Sequence, residues 1–81
     1  YDKGYDLYSD SKYDEALEAL VQSYNYDPDN VDAKYFIART YHRLEDYDSA
    51  RTYYEMVINN FPDSRRYQNA KSYLERLPDW P

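Results

Sequence analysis

At 81 residues the chain is at the size where a single compact core is thin and an ordinary globular fold only marginally stable, which limits it to one small domain or a stacked architecture. The absence of cysteine excludes disulfides, thiolate metal sites and thiol nucleophiles, and a single glycine excludes phosphate-cradling loops and dinucleotide fingerprints. A formal net charge of −6 argues against nucleic acid, which needs Lys and Arg clustered on one face, and no apolar run reaches bilayer-spanning length.

The charge is uneven. Residues 1–32 hold nine acidic side chains against Lys3 and Lys12, while residues 33–81 hold eight basic against seven acidic. A solvated acidic face accounts for this, and end-to-end complementarity with a neighbouring repeat or chain is the sharper reading.

In chain order, Tyr1, Tyr5 and Tyr8 fall at helical spacing with Gly4 and Leu7, which predicts a first helix over residues 1–10, truncated at its start. After the polar turn Ser9 to Lys12, Tyr13 and Asp14 open a second helix, with Asp14, Glu15 and Glu18 near its positive end and Ala16, Leu17, Leu20, Val21 and Tyr24 as its buried stripe. Pro28 stops it, and Asn30 is placed to cap a third helix over about Val31 to Leu44. That helix sends Ala33, Phe36, Ile37, Ala38 and Tyr41 toward its partners and Tyr35, Arg39 and His42 to another face. A fourth helix runs from about Asp48 to Asn60 and closes at Phe61 and Pro62. Asp63 and Ser64 are the expected caps of a fifth, over about Arg65 to Leu77, whose outer face is too polar to seat another helix. Trp80, between two prolines, either folds back or begins a linker.

Sliding the chain by 34 residues superposes Tyr13 on Tyr47, Asp14 on Asp48, Ala16 on Ala50, Asn25 on Asn59, Pro28 on Pro62 and Asp29 on Asp63, with Leu20 on Tyr54 as large apolar groups. A fixed period of this size marks stacked repeats, in which each unit buries its apolar face on its neighbour. Gly4 and Ala38 also come into register and let the first helix of each unit approach its partner closely.

Those landmarks resemble the tetratricopeptide repeat, a helix-turn-helix unit of the same length. They fall on Gly4, Leu7, Tyr13, Ala16, Leu20, Ser23 and Pro28, and again on Ile37, Ala38, Tyr41, Tyr47, Ala50, Tyr54, Val57 and Pro62. Ser11 and Glu45 depart from the pattern by occupying the turn-glycine position, and Lys3 replaces the apolar residue before Gly4. The resemblance implies an all-α, right-handed α-solenoid of five helices: unit one over 1–30, unit two over 31–64, a capping helix over 65–77 and a tail or linker over 78–81. It also implies a concave groove lined by the first helices.

Other chemistry finds little footing. The acids from Asp27 to Asp32 begin like a calcium loop, but its sixth position is Asp32 rather than Gly and its twelfth is Ala38 rather than Glu. His42 is the sole histidine and has no second histidine or cysteine to complete a metal set. No spacing supports a Ser-His-Asp arrangement, so neither cofactor nor metal is expected and the chain reads as non-enzymatic.

Mapped from the resemblance, the groove positions are Tyr1, Tyr5 and Tyr8; Tyr35, Arg39 and His42; and Arg66, Asn69 and Tyr73. Tyrosine and arginine are enriched at protein interfaces, although 13 tyrosines in 81 residues put some on any face by frequency alone. A chaperone-type carboxylate clamp looks absent, because Tyr1, Tyr5 and Phe36 stand where it uses Lys and Asn; Arg39 and Arg66 remain as a looser pair for one carboxylate or phosphate. The leading expectation is a protein or peptide partner held in this groove. The alternatives are self-association through the solenoid ends and a targeting arm of a multidomain enzyme. The Asn59 to Ala70 pattern also resembles tetratricopeptide domains of bacterial cell-envelope proteins.

Overall fold

The computed structural model describes residues 2–27 and 30–77. Tyr1, the Pro28-Asp29 stop and Trp80 lie outside them. Five helices follow one another: α1 (Asp2–Ser9), α2 (Tyr13–Tyr26), α3 (Val31–Arg43), α4 (Tyr47–Asn60) and α5 (Arg66–Arg76). Helix α3 packs against α2, α4, α1 and α5, so α1, α3 and α5 share one layer while α2 and α4 form the other. This is the expected helical repeat solenoid, and no strand occurs among the described residues.

The small and large apolar landmarks of the 34-residue period meet in the core, joined there by Ala33 and Ala70. Ala16, Leu20, Ala33, Ile37, Ala38, Ala50, Tyr54, Val57 and Ala70 are wholly buried. The alanines let helices approach, and Leu20, Ile37, Tyr54 and Val57 fill the space between them. Gly4 is buried against Leu20 so closely that a Cβ there would sit 2.5 Å from Leu20 Cγ. Lys34 was unforeseen in this company: it is 6% exposed, with its ammonium 5.0 Å from the Tyr24 ring centre and 4.9 Å from that of Phe61. The two ring faces attract the cation that the core would otherwise exclude.

Helix ends follow local chemistry. Asn30 caps α3 as expected, its Oδ1 accepting the Ala33 N–H at 3.1 Å. Asp46, which falls between the helices expected over Val31 to Leu44 and Asp48 to Asn60, caps α4 by accepting from the Ser49 N–H at 3.4 Å and its hydroxyl at 3.0 Å. The expected caps of α5 are corrected. Arg65 holds the N-cap position in helical conformation with no side-chain cap bond, because Ser64 is taken into a turn and the Tyr67 N–H is met by the Ser64 carbonyl at 3.1 Å.

The two departures at the turn glycine have a structural meaning. Ser11 (φ 63°) and Glu45 (φ 62°) are both left-handed. The Lys12 N–H reaches the Leu7 carbonyl at 2.9 Å and the Ser11 N–H that of Tyr8 at 3.0 Å; Asp46 to Tyr41 (2.9 Å) and Glu45 to His42 (3.1 Å) repeat the arrangement. Both first helices therefore end in a Schellman motif whose left-handed position favours glycine. Ser11→Gly is expected to stabilise the fold by about 1 kcal/mol, because a Cβ in this conformation costs roughly that much. Thermal unfolding checks it: a rise of roughly 4–8 °C is expected for a domain of this size.

Candidate functional site

The shared layer of α1, α3 and α5 carries half of the described phenylalanine and tyrosine rings and four of the six arginines. On α1, the rings of Tyr5 and Tyr8 meet Phe36 edge-on at 5.0 and 5.5 Å. Arg39, one turn further along α3, donates from Nε (3.2 Å) and Nη2 (3.0 Å) to the Tyr8 hydroxyl oxygen. Its guanidinium carbon also lies 3.8 Å from the centre of the Tyr73 ring on α5. One arginine thus ties together three helices that are distant in sequence, and because its fork is planar it can stack and hydrogen-bond at once.

Next to it opens a cleft of about 440 Å³, lined by Arg39, His42 and Arg43 from the end of α3, Glu45 and Tyr47 from the turn and start of α4, and Tyr73 and Arg76 from α5. The His42 ring stands edge-on to Tyr47 (5.9 Å), Tyr54 (6.1 Å) and Tyr73 (6.0 Å), and its Nδ1 is 3.2 Å from the Tyr54 hydroxyl. Burial, with the like charges of Arg39 and Arg43 beside it, holds the imidazole below its ordinary pKa of 6.5. Burial also raises the Tyr54 phenol above its usual range, so the environment favours the neutral form of both the Tyr54 and His42 side chains.

Of the nine mapped groove residues, the structure brings Arg39, His42 and Tyr73 into the cleft and joins Tyr8 to them through Arg39. Tyr5 is 43% exposed alongside. Tyr35, expected on the displayed face, is instead 5% exposed and packed among Phe36 (5.1 Å), Tyr54 (6.3 Å) and Tyr73 (6.4 Å), which makes it a core residue beneath that face. Arg66 lies over the Tyr35 and Phe36 rings at 4.9 and 5.1 Å while its Nε donates to Asp32 Oδ1 at 2.7 Å. This bond pins the start of α5 to the start of α3. Arg39 therefore shares its cleft with Arg43 and Arg76, and Arg66 is directed to Asp32. Asn69 is exposed on α5, and Tyr1 lies outside the described residues.

Four cleft residues, Arg43, Glu45, Tyr47 and Arg76, were not anticipated. The signal was there for two of them. Arg43 follows His42 directly, and Arg76 stands one helical turn after Tyr73, 5.4 Å from its ring centre.

The lowered imidazole pKa fixes the sign of one pH effect. Below about pH 6.5 the unfolded chain binds a proton that the folded chain resists, so stability falls with pH through that region and is fully present above it. The melting temperature is expected to be level above pH 7.5 and to decline between pH 7 and 5.5, with His42→Gln flattening that decline. An equal slope in both proteins would contradict the assignment.

Three comparisons bear on what this arrangement is. A family profile described as tetratricopeptide repeat matches residues 7–74. No curated protein and no solved structure gives a significant match. Repeats of this type generally mediate protein–protein interactions and are typically non-catalytic. With its 34-residue period, paired helices and profile match over most of its length, the chain belongs to the tetratricopeptide repeat family.

Proposed function

We propose that this domain is a non-enzymatic interaction module that holds a peptide segment of a partner protein on the face made by α1, α3 and α5. The observation that carries this reading is the connected series Tyr5, Tyr8, Arg39, His42 and Tyr73, which leads across three helices into the cleft. Rigid aromatic area with a few fixed donors is the composition from which binding hot spots are made. Affinity comes from burying the tyrosine faces, and orientation from donors such as Arg39 that the fold already holds in place. The Asn59 to Ala70 pattern supports a bacterial cell-envelope protein as the parent.

Selection of a displayed random-peptide library on the immobilised domain, with a Tyr5→Ala, Arg39→Ala variant in parallel, tests this. Peptides enriched on the parent and weakened at least about tenfold on the folded variant are expected, since each truncated hot spot costs upward of 1–2 kcal/mol. Enriched peptides that ignore the substitutions would move the site elsewhere. Failure to enrich any sequence on the folded domain would count against peptide capture altogether.

A further inference from the structure

Within an acidic chain the cleft is locally cationic. Arg39, Arg43 and Arg76 face Glu45 there, which leaves two net positive charges around a space of about 440 Å³. These guanidiniums come from two helices and are not neutralised by ion pairs: the ion pairs among the described residues are those of Asp32 with Arg65 and Arg66. Arg39 is fixed by Tyr8 and Tyr73, so its remaining Nη donors are held in one direction, while Arg43, beside Tyr8, and Arg76, over the Tyr73 ring, line the cleft with exposed side chains. Like charges gathered at one place repel, and a bound anion relieves that repulsion. The wall formed by His42, Tyr47 and Tyr73 supplies low-dielectric surface, which strengthens the attraction.

We propose that the cleft is an oxyanion site for a phosphate monoester carried on the bound peptide segment. A phosphate monoester brings a charge of about −1.5 to −2 and three acceptor oxygens, matching the two net positive charges and the three guanidiniums, whereas a carboxylate satisfies half that charge. The proposal deepens the reading of this face as the partner-binding surface and depends on it for the source of the phosphate.

His42 makes a built-in reporter. It is the sole histidine of these 81 residues, so its imidazole C–H resonances have no other histidine to be confused with. The groups facing it are Arg39 and Arg43 on its own helix, Glu45 in the turn, Tyr47 and Tyr54 on α4, and Tyr73 and Arg76 on α5. A dianion among them offsets the arginine charges and raises the imidazole pKa.

The experiment is a proton NMR titration at pH 7.5 with a capped Ala-phosphoserine-Ala peptide, its glutamate counterpart, inorganic phosphate and sodium chloride at matched ionic strength. A saturable shift of the His42 resonance is expected with the phosphopeptide, with affinity at least about tenfold above the glutamate peptide and a higher histidine pKa in the bound state. Arg43→Ala, Arg76→Ala should lose at least about tenfold in affinity, and Arg65→Ala, which removes an exposed cation outside the cleft, should not. Both altered arginines in the double variant are exposed, so circular dichroism should match the parent. Shifts no larger than those with chloride would overturn the site, and equal losses in the two variants would reduce it to general screening. Equal binding of the glutamate peptide would replace the phosphate with a carboxylate, and tighter binding of inorganic phosphate would remove the peptide as its source. Library peptides that depend on Tyr5 and Arg39, together with no phosphopeptide-induced shift of His42, would sustain the interaction face while the phosphate site fails by itself.

Discussion

Tyr54→Ala is expected to destabilise the domain by about 3–5 kcal/mol, the range for removing a large aromatic side chain from a packed core. Tyr54 is wholly buried, stacked on Tyr73 (6.1 Å between centroids, 12° between planes) and edge-on to Tyr35 and His42. It supports from below the rings that face the cleft. For a chain this short, total stability is on the order of 5–10 kcal/mol, so the substitution removes much of it. Denaturant unfolding monitored by circular dichroism should show a midpoint displaced strongly downward. Tyr54→Phe keeps the ring and loses the hydroxyl 3.2 Å from His42 Nδ1, and should cost only about 1 kcal/mol. Comparable losses in the two variants would place the weight on the hydroxyl rather than the ring.

Gly4→Val is expected to cost about 1–3 kcal/mol, although valine has a better intrinsic helix propensity than glycine. The added Cβ would lie 2.5 Å from Leu20 Cγ, 2.6 Å from Cδ2 and 3.2 Å from the Leu20 backbone nitrogen, and Leu20 is wholly buried with nowhere to swing. The loss is steric, so it should depend on Leu20. A double-mutant cycle with Leu20→Ala checks this by urea unfolding: the combined variant should lose clearly less than the two single losses added together. Strict additivity would show that Gly4 is held by backbone conformation rather than by contact with α2.

The same two positions illustrate how far the sequence could be read. Gly4 and Tyr54 were identified by the 34-residue slide, because a repeat obliges equivalent positions to meet equivalent neighbours. Asn30 was legible as a cap because its partner lies three residues away. Asp46 was equally local, since Ser49 is also three residues on, but an expected helix start at Asp48 rather than Tyr47 moved the cap position off it. Ser64 looked like a cap by residue type and lost that role to a turn.

The groove was legible as a face and not as a set of roles. Tyr35 has the residue type and register of a displayed tyrosine, yet α5 covers it, and whether a neighbouring helix covers a position is not written in the helix that carries it. Arg66 looked like a binding arginine until Asp32, 34 residues earlier, was found 2.7 Å from its Nε. The cleft joins residues as far apart as Arg39 and Arg76, and Lys34 is buried only because Tyr24 and Phe61 arrive on either side of it.

By itself the sequence determined the repeat period, the five helices, the small residues that bring them together and the absence of thiol or glycine-loop chemistry, because these depend on spacing and residue type within a turn or a repeat. Only the tertiary structure decided which tyrosines are core and which are surface, which arginines are consumed by ion pairs, and where the remaining positive charge gathers. Those outcomes depend on which side chains from different helices share the same few ångströms, and helix packing sets that, not position along the chain.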